Sequence, residues 1–109
     1  MSHEKFQSCI EACLACATEC NHCTSACLDE ADVKMLSKCI KLDIDCAAIC
    51  SLAADFMARG SEFANQICKI CAEICDACAM ECEKHTHMEH CKVCAEACRK
   101  CAEACRMMK

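Results

Sequence analysis

The chain of 109 residues contains no proline, no tryptophan, no tyrosine and a single glycine. Strands and tight hairpins draw on aromatic residues and on glycine at primed turns, so their scarcity excludes a sheet and predicts an all-α fold. Long apolar runs are missing too. None approaches the ~20 residues that span a bilayer, which excludes a membrane partner. The lysines are dispersed without a basic stripe and the formal net charge is −5, which argues against a nucleic-acid partner. The first residues, Met-Ser-His-Glu-Lys-Phe, lack the apolar core of a secretory signal, so the expected compartment is the reducing cytoplasm. There is no Ser/His/Asp set, no phosphate-binding loop and no carboxylate pair set apart from solvated helix faces, so no enzyme activity is expected. The length suits one domain spanning residues 1–109.

What the chain has instead is cysteine, nineteen in all. Cys9, Cys13, Cys16, Cys20, Cys23 and Cys27 alternate at spacings of four and three. Side chains three and four apart stack on one face of an α-helix, and the alternation is that of the inward seam of a helix bundle. The pattern returns at Cys68, Cys71, Cys75, Cys78 and Cys82, and again at Cys91, Cys94, Cys98, Cys101 and Cys105. A sparser set is Cys39, Cys46 and Cys50. A disulfide framework is disfavoured by the odd count, the absent export signal and the helical spacing, which rarely suits disulfide geometry.

The first helix is expected from about Ser2 to Leu28, with Phe6 extending its seam. The second is expected from Val33 to Ala58 after an N-cap at Asp29 or Asp32. Its seam reads Met35, Cys39, Leu42, Cys46, Cys50, Ala53 and Met57. Gly60 suits a left-handed helix end and Ser61 an N-cap, so the third helix is expected from Glu62 to His85. Thr86 and Glu89 have capping-box spacing and start the fourth helix, which places His87 in its seam. Helix 2 also carries Ile40, Ile44 and Leu52, and helix 3 carries Ile67, Ile70 and Ile74, stripes that call either for sideways packing or for another subunit. Short connections make neighbouring helices antiparallel, so the predicted architecture is an up-down-up-down four-helix bundle with a Cys-lined core.

Cysteine is a passable small core residue, yet whole seams of it bury less apolar area than leucine would. Soft-metal binding explains the pattern better, since thiolates select Cu(I), Zn(II) and iron–sulfur clusters. Iron–sulfur ligands usually come from irregular loops rather than regular helix. Structural zinc sites are discrete sets of four, and four thiolates around Zn(II) leave a buried net charge of about −2. One Cu(I) per thiolate leaves a neutral interior, so many Cu(I) ions, roughly one per cysteine, are the expected cargo. The i, i+4 pairs, such as Cys16/Cys20 and Cys46/Cys50, bring two sulfurs to one ion. Two alternatives are a metallothionein-like zinc or cadmium buffer and a thiol redox protein, although the latter calls for a βαβ context.

These repeats of Cys-x-x-x-Cys and Cys-x-x-Cys along four helices, with His and Met near one end, resemble the copper storage proteins, in particular their cytosolic branch. The resemblance covers the whole chain. It implies a four-helix bundle that stores many Cu(I) ions and assembles as a homotetramer.

The antiparallel topology makes the two ends different. One gathers Phe6, Phe56, Met57, Phe63 and Met108 into an apolar plug. The other gathers Met35, His85, His87, Met88 and His90, with His22 nearby on the first helix. Imidazole and thioether hold Cu(I) more weakly than thiolate, so these residues are expected to admit and hand over the metal, with His85 and His87 pointing toward the axis.

Overall fold

A computed structural model describes residues 6–108. Four helices, α1 (Gln7–Leu28), α2 (Ser37–Ala58), α3 (Ala64–Cys82) and α4 (Glu89–Arg106), form a rod of 48 × 18 × 18 Å. Each helix packs against its two neighbours in the order α1, α2, α3, α4 and back to α1. Thiol pairs give the direction. Cys9 at the start of α1 meets Cys105 at the end of α4, and Cys27 at the end of α1 meets Cys91 at the start of α4. Cys39 near the start of α2 likewise meets Cys82 at the end of α3. The fold is the up-down-up-down bundle expected from the seams.

The narrow cross-section has a cause in the sequence. Beside six of the seam thiols sits a buried alanine: Ala17, Ala47, Ala72, Ala79, Ala95 and Ala102 each follow a buried cysteine. Small side chains at the flanks let the helices approach closely, and their sulfurs meet on the axis. Large apolar residues are confined to the ends of the column. Leu36 is buried at one end, and Phe6 and Met57 at the other.

Several expected boundaries are corrected. The proposed start at Ser2 lies outside the described residues. Neither Asp29 nor Asp32 caps α2: Asp29 closes α1 through its own backbone N–H, and a 3-10 turn over Val33–Leu36 precedes α2. That tighter turn carries Leu36 inward and leaves Met35 64% exposed. The α2 seam is Leu36, Cys39, Asp43, Cys46, Cys50, Ala53 and Met57, so Asp43 replaces the expected Leu42, which packs only at the flank. Positions 39, 43, 46 and 50 repeat the four–three–four spacing of α1, the phase that stays on the bundle axis.

Helix α3 starts at Ala64 rather than Glu62 and ends at Cys82, continuing as a 3-10 turn through His85. Ser61 still acts locally, its Oγ accepting the Phe63 N–H at 3.0 Å. Gly60 has φ 64°. With Gly60 N–H bonded to Met57 O and Ser61 N–H to Phe56 O, both at 3.0 Å, the end of α2 is a Schellman motif. The capping box at Thr86 and Glu89 does not form. Met88, in extended backbone, is the N-cap of α4 with no side-chain cap, and Thr86 stays in the turn. The plug is also smaller than expected. Phe63 is 54% exposed, while Phe56 is half-buried beneath the Arg59 guanidinium, 5.1 Å from its ring centre.

Candidate metal centre

All nineteen cysteines are buried free thiols, and they form one column along the bundle axis. Helix periodicity sets the spacing within each seam. Cys16/Cys20, Cys23/Cys27, Cys46/Cys50, Cys71/Cys75 and Cys94/Cys98 lie at 3.8–4.0 Å. Contacts between helices are often shorter: Cys39–Cys82 and Cys46–Cys75 at 3.5 Å, Cys50–Cys101 and Cys13–Cys101 at 3.6 Å. An ion can therefore bridge helices as readily as it bridges two turns of one helix.

The column reads as overlapping groups of four. Near the plugged end Cys13, Cys71, Cys101 and Cys105 converge, with Cys9 3.7 Å from Cys105. Cys16, Cys46, Cys50 and Cys75 follow, then Cys16, Cys20, Cys46 and Cys98, then Cys20, Cys78, Cys94 and Cys98. The last three of these share members, and Cys50 lies 3.7 Å from Cys71 and 3.6 Å from Cys101 of the first, so none of the four is closed off from the next. Ionisation is shared in the same way. Cys16, followed by Cys46, pushes the Cys20 thiol well above its ordinary value. Toward the open end burial dominates: it raises Cys27 to about 11 and raises Cys91 as well.

One polar side chain interrupts the sulfurs. Asp43 is fully buried, and the thiols of Cys78 and Cys94 donate to its Oδ1 at 3.1 and 3.3 Å. Cys82 reaches Oδ1, and Cys39 reaches Oδ2, each at 3.8 Å. Burial above all pushes its carboxyl up to about 11. Hydrophobicity favours Leu42 over Asp43 at this step, although the place of Asp43 in the four–three–four series from Cys39 makes it an axial position.

The open end brings some of the expected His and Met residues to the thiols and leaves others outside. His90 is the imidazole that reaches the column. Its Nδ1 lies 3.7, 3.8 and 3.6 Å from the sulfurs of Cys23, Cys27 and Cys91, and its Nε2–H donates to Glu30 Oε2 at 3.0 Å. His85 is buried, but its Nε2 bonds to Glu81 Oε2 at 3.2 Å. Burial opposes charge on Glu81, yet the hydrogen bonds from His85 and Lys84 hold its carboxyl below the ordinary value. His87 is exposed, against the expectation that it would face the axis, because α4 begins only at Glu89 and His87 sits in the turn. Its ring meets that of His85 edge-on at 6.4 Å. His22 is exposed on α1. Met35 and half-buried Met88 do come together, lining an outer pocket with Glu30, Asp32, Leu36 and His87.

A profile of the copper storage protein family, Csp, matches residues 2–109. The chain is 52% identical over 81 residues to the uncharacterised cysteine-rich protein YhjQ of Bacillus subtilis strain 168, covering 74% of this chain and 75% of that protein. Its structure is similar to that of the Cu(I)-bound copper storage protein BsCsp3, with a TM-score of 0.90, 50% identity, and 94% of this chain and 96% of that chain covered. It is similar also to a cytosolic copper storage protein from Streptomyces lividans carrying five coppers, with a TM-score of 0.91, 44% identity, and 96% and 92% of the two chains covered.

Proposed function

This chain belongs to the copper storage protein family, and on that premise we propose that it holds many Cu(I) ions in the cytoplasm as thiolate complexes inside its bundle. The continuity of the sulfur column carries this reading. Most of the sulfurs have others within bridging distance, and the all-cysteine groups of four run into one another along the axis. A monovalent ion per thiolate keeps such an interior close to neutral, whereas a column of divalent sites would accumulate buried negative charge. The ligands are the nineteen cysteines, roughly one ion for each. Each ligating thiol loses its proton, so loading releases protons and favours higher pH. The chain is a store rather than a catalyst: its reactive groups are ligands to a cargo.

Copper enters at the open end. Leu36 is the large buried side chain there, and His90, with the outer pocket of Met35, Met88 and His87, offers weaker soft and borderline donors outside the thiols. The opposite end is closed by Phe6 and Met57. Assembly into a homotetramer fits the apolar side of α2 and α3. Ile44, Leu52 and Ile70 are exposed there, and a shallow pocket lined by Ala48, Ile49, Leu52 and Ile74 lies between the two helices.

Anaerobic titration of the reduced, metal-free protein with Cu(I) tests the storage reading. Binding should continue well beyond four ions per chain, with parallel loss of thiol reactivity. A plateau at four ions or fewer, with most thiols still reactive, would sink it. Light scattering at micromolar concentration tests the tetramer, which a monomeric mass would refute.

A further inference from the structure

The donor set at the open end is more regular than a copper store requires. Cys23 and Cys27 from α1, with His90 and Cys91 from α4, present four donor atoms whose six separations all fall in a narrow range. The sulfur pairs Cys23–Cys27, Cys23–Cys91 and Cys27–Cys91 are 3.8, 3.9 and 3.9 Å apart. The distances from His90 Nδ1 to Cys23, Cys27 and Cys91 are 3.7, 3.8 and 3.6 Å. A tetrahedral ion with metal–sulfur bonds of about 2.3 Å and a metal–nitrogen bond of about 2.0–2.1 Å has edges of about 3.8 Å between sulfurs and about 3.5–3.6 Å from sulfur to nitrogen. The protein alone already sets out that tetrahedron. Cu(I) on three thiolates would use the sulfur triangle alone, without the imidazole as a fourth donor.

Two further features separate this group from those deeper in the column. The first is orientation. His90 Nε2–H donates to Glu30 Oε2 at 3.0 Å, which leaves the Nδ1 lone pair facing the sulfurs. A carboxylate behind a ligating imidazole is the usual device for fixing tautomer and ring angle at a metal. The second is charge. A divalent ion on three thiolates and a neutral imidazole carries a net charge of about −1, against about −2 for an all-cysteine group such as Cys16, Cys46, Cys50 and Cys75. The lower charge also sits at the end of the bundle, next to partly solvated Glu30, rather than in its middle.

We propose that Cys23, Cys27, Cys91 and His90 Nδ1 form a tetrahedral site for one divalent ion of the Zn(II) class, with Glu30 as the residue that positions His90. Three thiol protons are released as the ion binds, and no electron is transferred. An ion seated there ties down the thiols nearest the opening until Cu(I) displaces it. The site stands or falls independently of copper storage, because it concerns four donors and a different metal.

Reduced, metal-free full-length protein titrated anaerobically with Co(II), as a spectroscopic stand-in for Zn(II), provides the test. One Co(II) per chain should bind first, with the intense visible absorption of tetrahedral thiolate coordination, and one equivalent of Zn(II) should displace it. Glu30→Ala should weaken Co(II) binding ~10–100-fold. Glu30→Gln, which keeps an oxygen to accept the Nε2–H, should recover most of that loss. His90→Ala should weaken binding and shift the visible bands, while Cys71→Ser, deep in the column, should change neither. Far-UV circular dichroism establishes that each variant keeps its helices. The proposal is overturned by octahedral Co(II), by several equivalent Co(II) ions per chain, or by a His90→Ala variant with wild-type affinity and spectrum. A Cu(I) titration of the same preparation reports on storage separately.

Discussion

Asp43 Oδ1 lies 3.1 Å from Cys78 Sγ, with both residues fully buried in the thiol column. The carboxyl therefore keeps its proton, pushed up to about 11 from an ordinary 3.8, above all by burial. The unfolded chain releases that proton near its ordinary value. The contribution to stability is then complete below about 3.8 and declines as pH rises toward about 11, because the folded state binds one more proton across that window. Reduced metal-free protein should lose stability between pH 5 and pH 7.5, by at most ~1.4 kcal/mol per pH unit from this group. Asp43→Asn keeps an acceptor for the thiols without the proton, so its melting temperature should vary less with pH and exceed the wild-type value at pH 7.5. Parallel melting curves at the two pH values decide it, and equal slopes would show that Asp43 is ionised in the column.

The bundle should fold without metal. Schellman closure at Gly60, buried alanine flanks and the Phe6–Met57 end are all present without a bound ion. Far-UV circular dichroism of the reduced apoprotein should show a predominantly helical chain. Loading should raise the melting temperature, since an ion bound only to the folded state adds about 2.7 kcal/mol per site at a hundred times its dissociation constant. A random-coil spectrum for the apoprotein would contradict this.

Copper uptake should depend on His90 more than on the other histidines. His90→Ala is expected to slow Cu(I) transfer from a chelated donor about tenfold, the lower end of what losing a metal-site group usually costs, while leaving nearly all capacity intact. His87→Ala should change the rate little, because the residue is exposed in the turn. Stopped-flow loading distinguishes the two. The reverse order would place capture in the outer pocket of Met35, Met88 and His87.

The two aromatic residues once expected to share the plug should behave differently. Phe6→Ala removes a buried ring next to the first thiols and should cost about 3 kcal/mol or more. Phe63 is 54% exposed, so Phe63→Ala should stay within about 0.5 kcal/mol of wild type. Denaturant melts of the two variants compare them directly, and equal losses would mean that Phe63 is covered in solution.

Gly60 offers a backbone test. At φ 64° a side chain crowds the following carbonyl, so Gly60→Ala should destabilise by about 1 kcal/mol without altering copper capacity. Unchanged stability would argue against the left-handed closure of α2.

The seams of α1, α3 and α4 were legible residue by residue because helical period is a local property: a cysteine every three or four positions can face only one way. Fold class, antiparallel order and the choice of a soft monovalent cargo follow from the same spacing and from the charge it would bury. The sparse helix was ambiguous for that reason. Between Cys39 and Cys46 both Leu42 and Asp43 satisfy a helical step, and hydrophobicity pointed to the leucine. Packing chose the aspartate, because thiols from α2, α3 and α4 supply the hydrogen bonds that make a buried carboxyl tolerable. The turns were ambiguous for a related reason. Candidate caps at Asp32 and Thr86 compete with 3-10 and extended backbone whose energies differ little, and the outcome moved Met35 and His87 to the surface while leaving His90 on the thiols. A chain's own spacing determines which face a helix buries. Only the assembled bundle determines which residues at its ends meet across sixty or more positions of sequence, because that depends on where each helix stops.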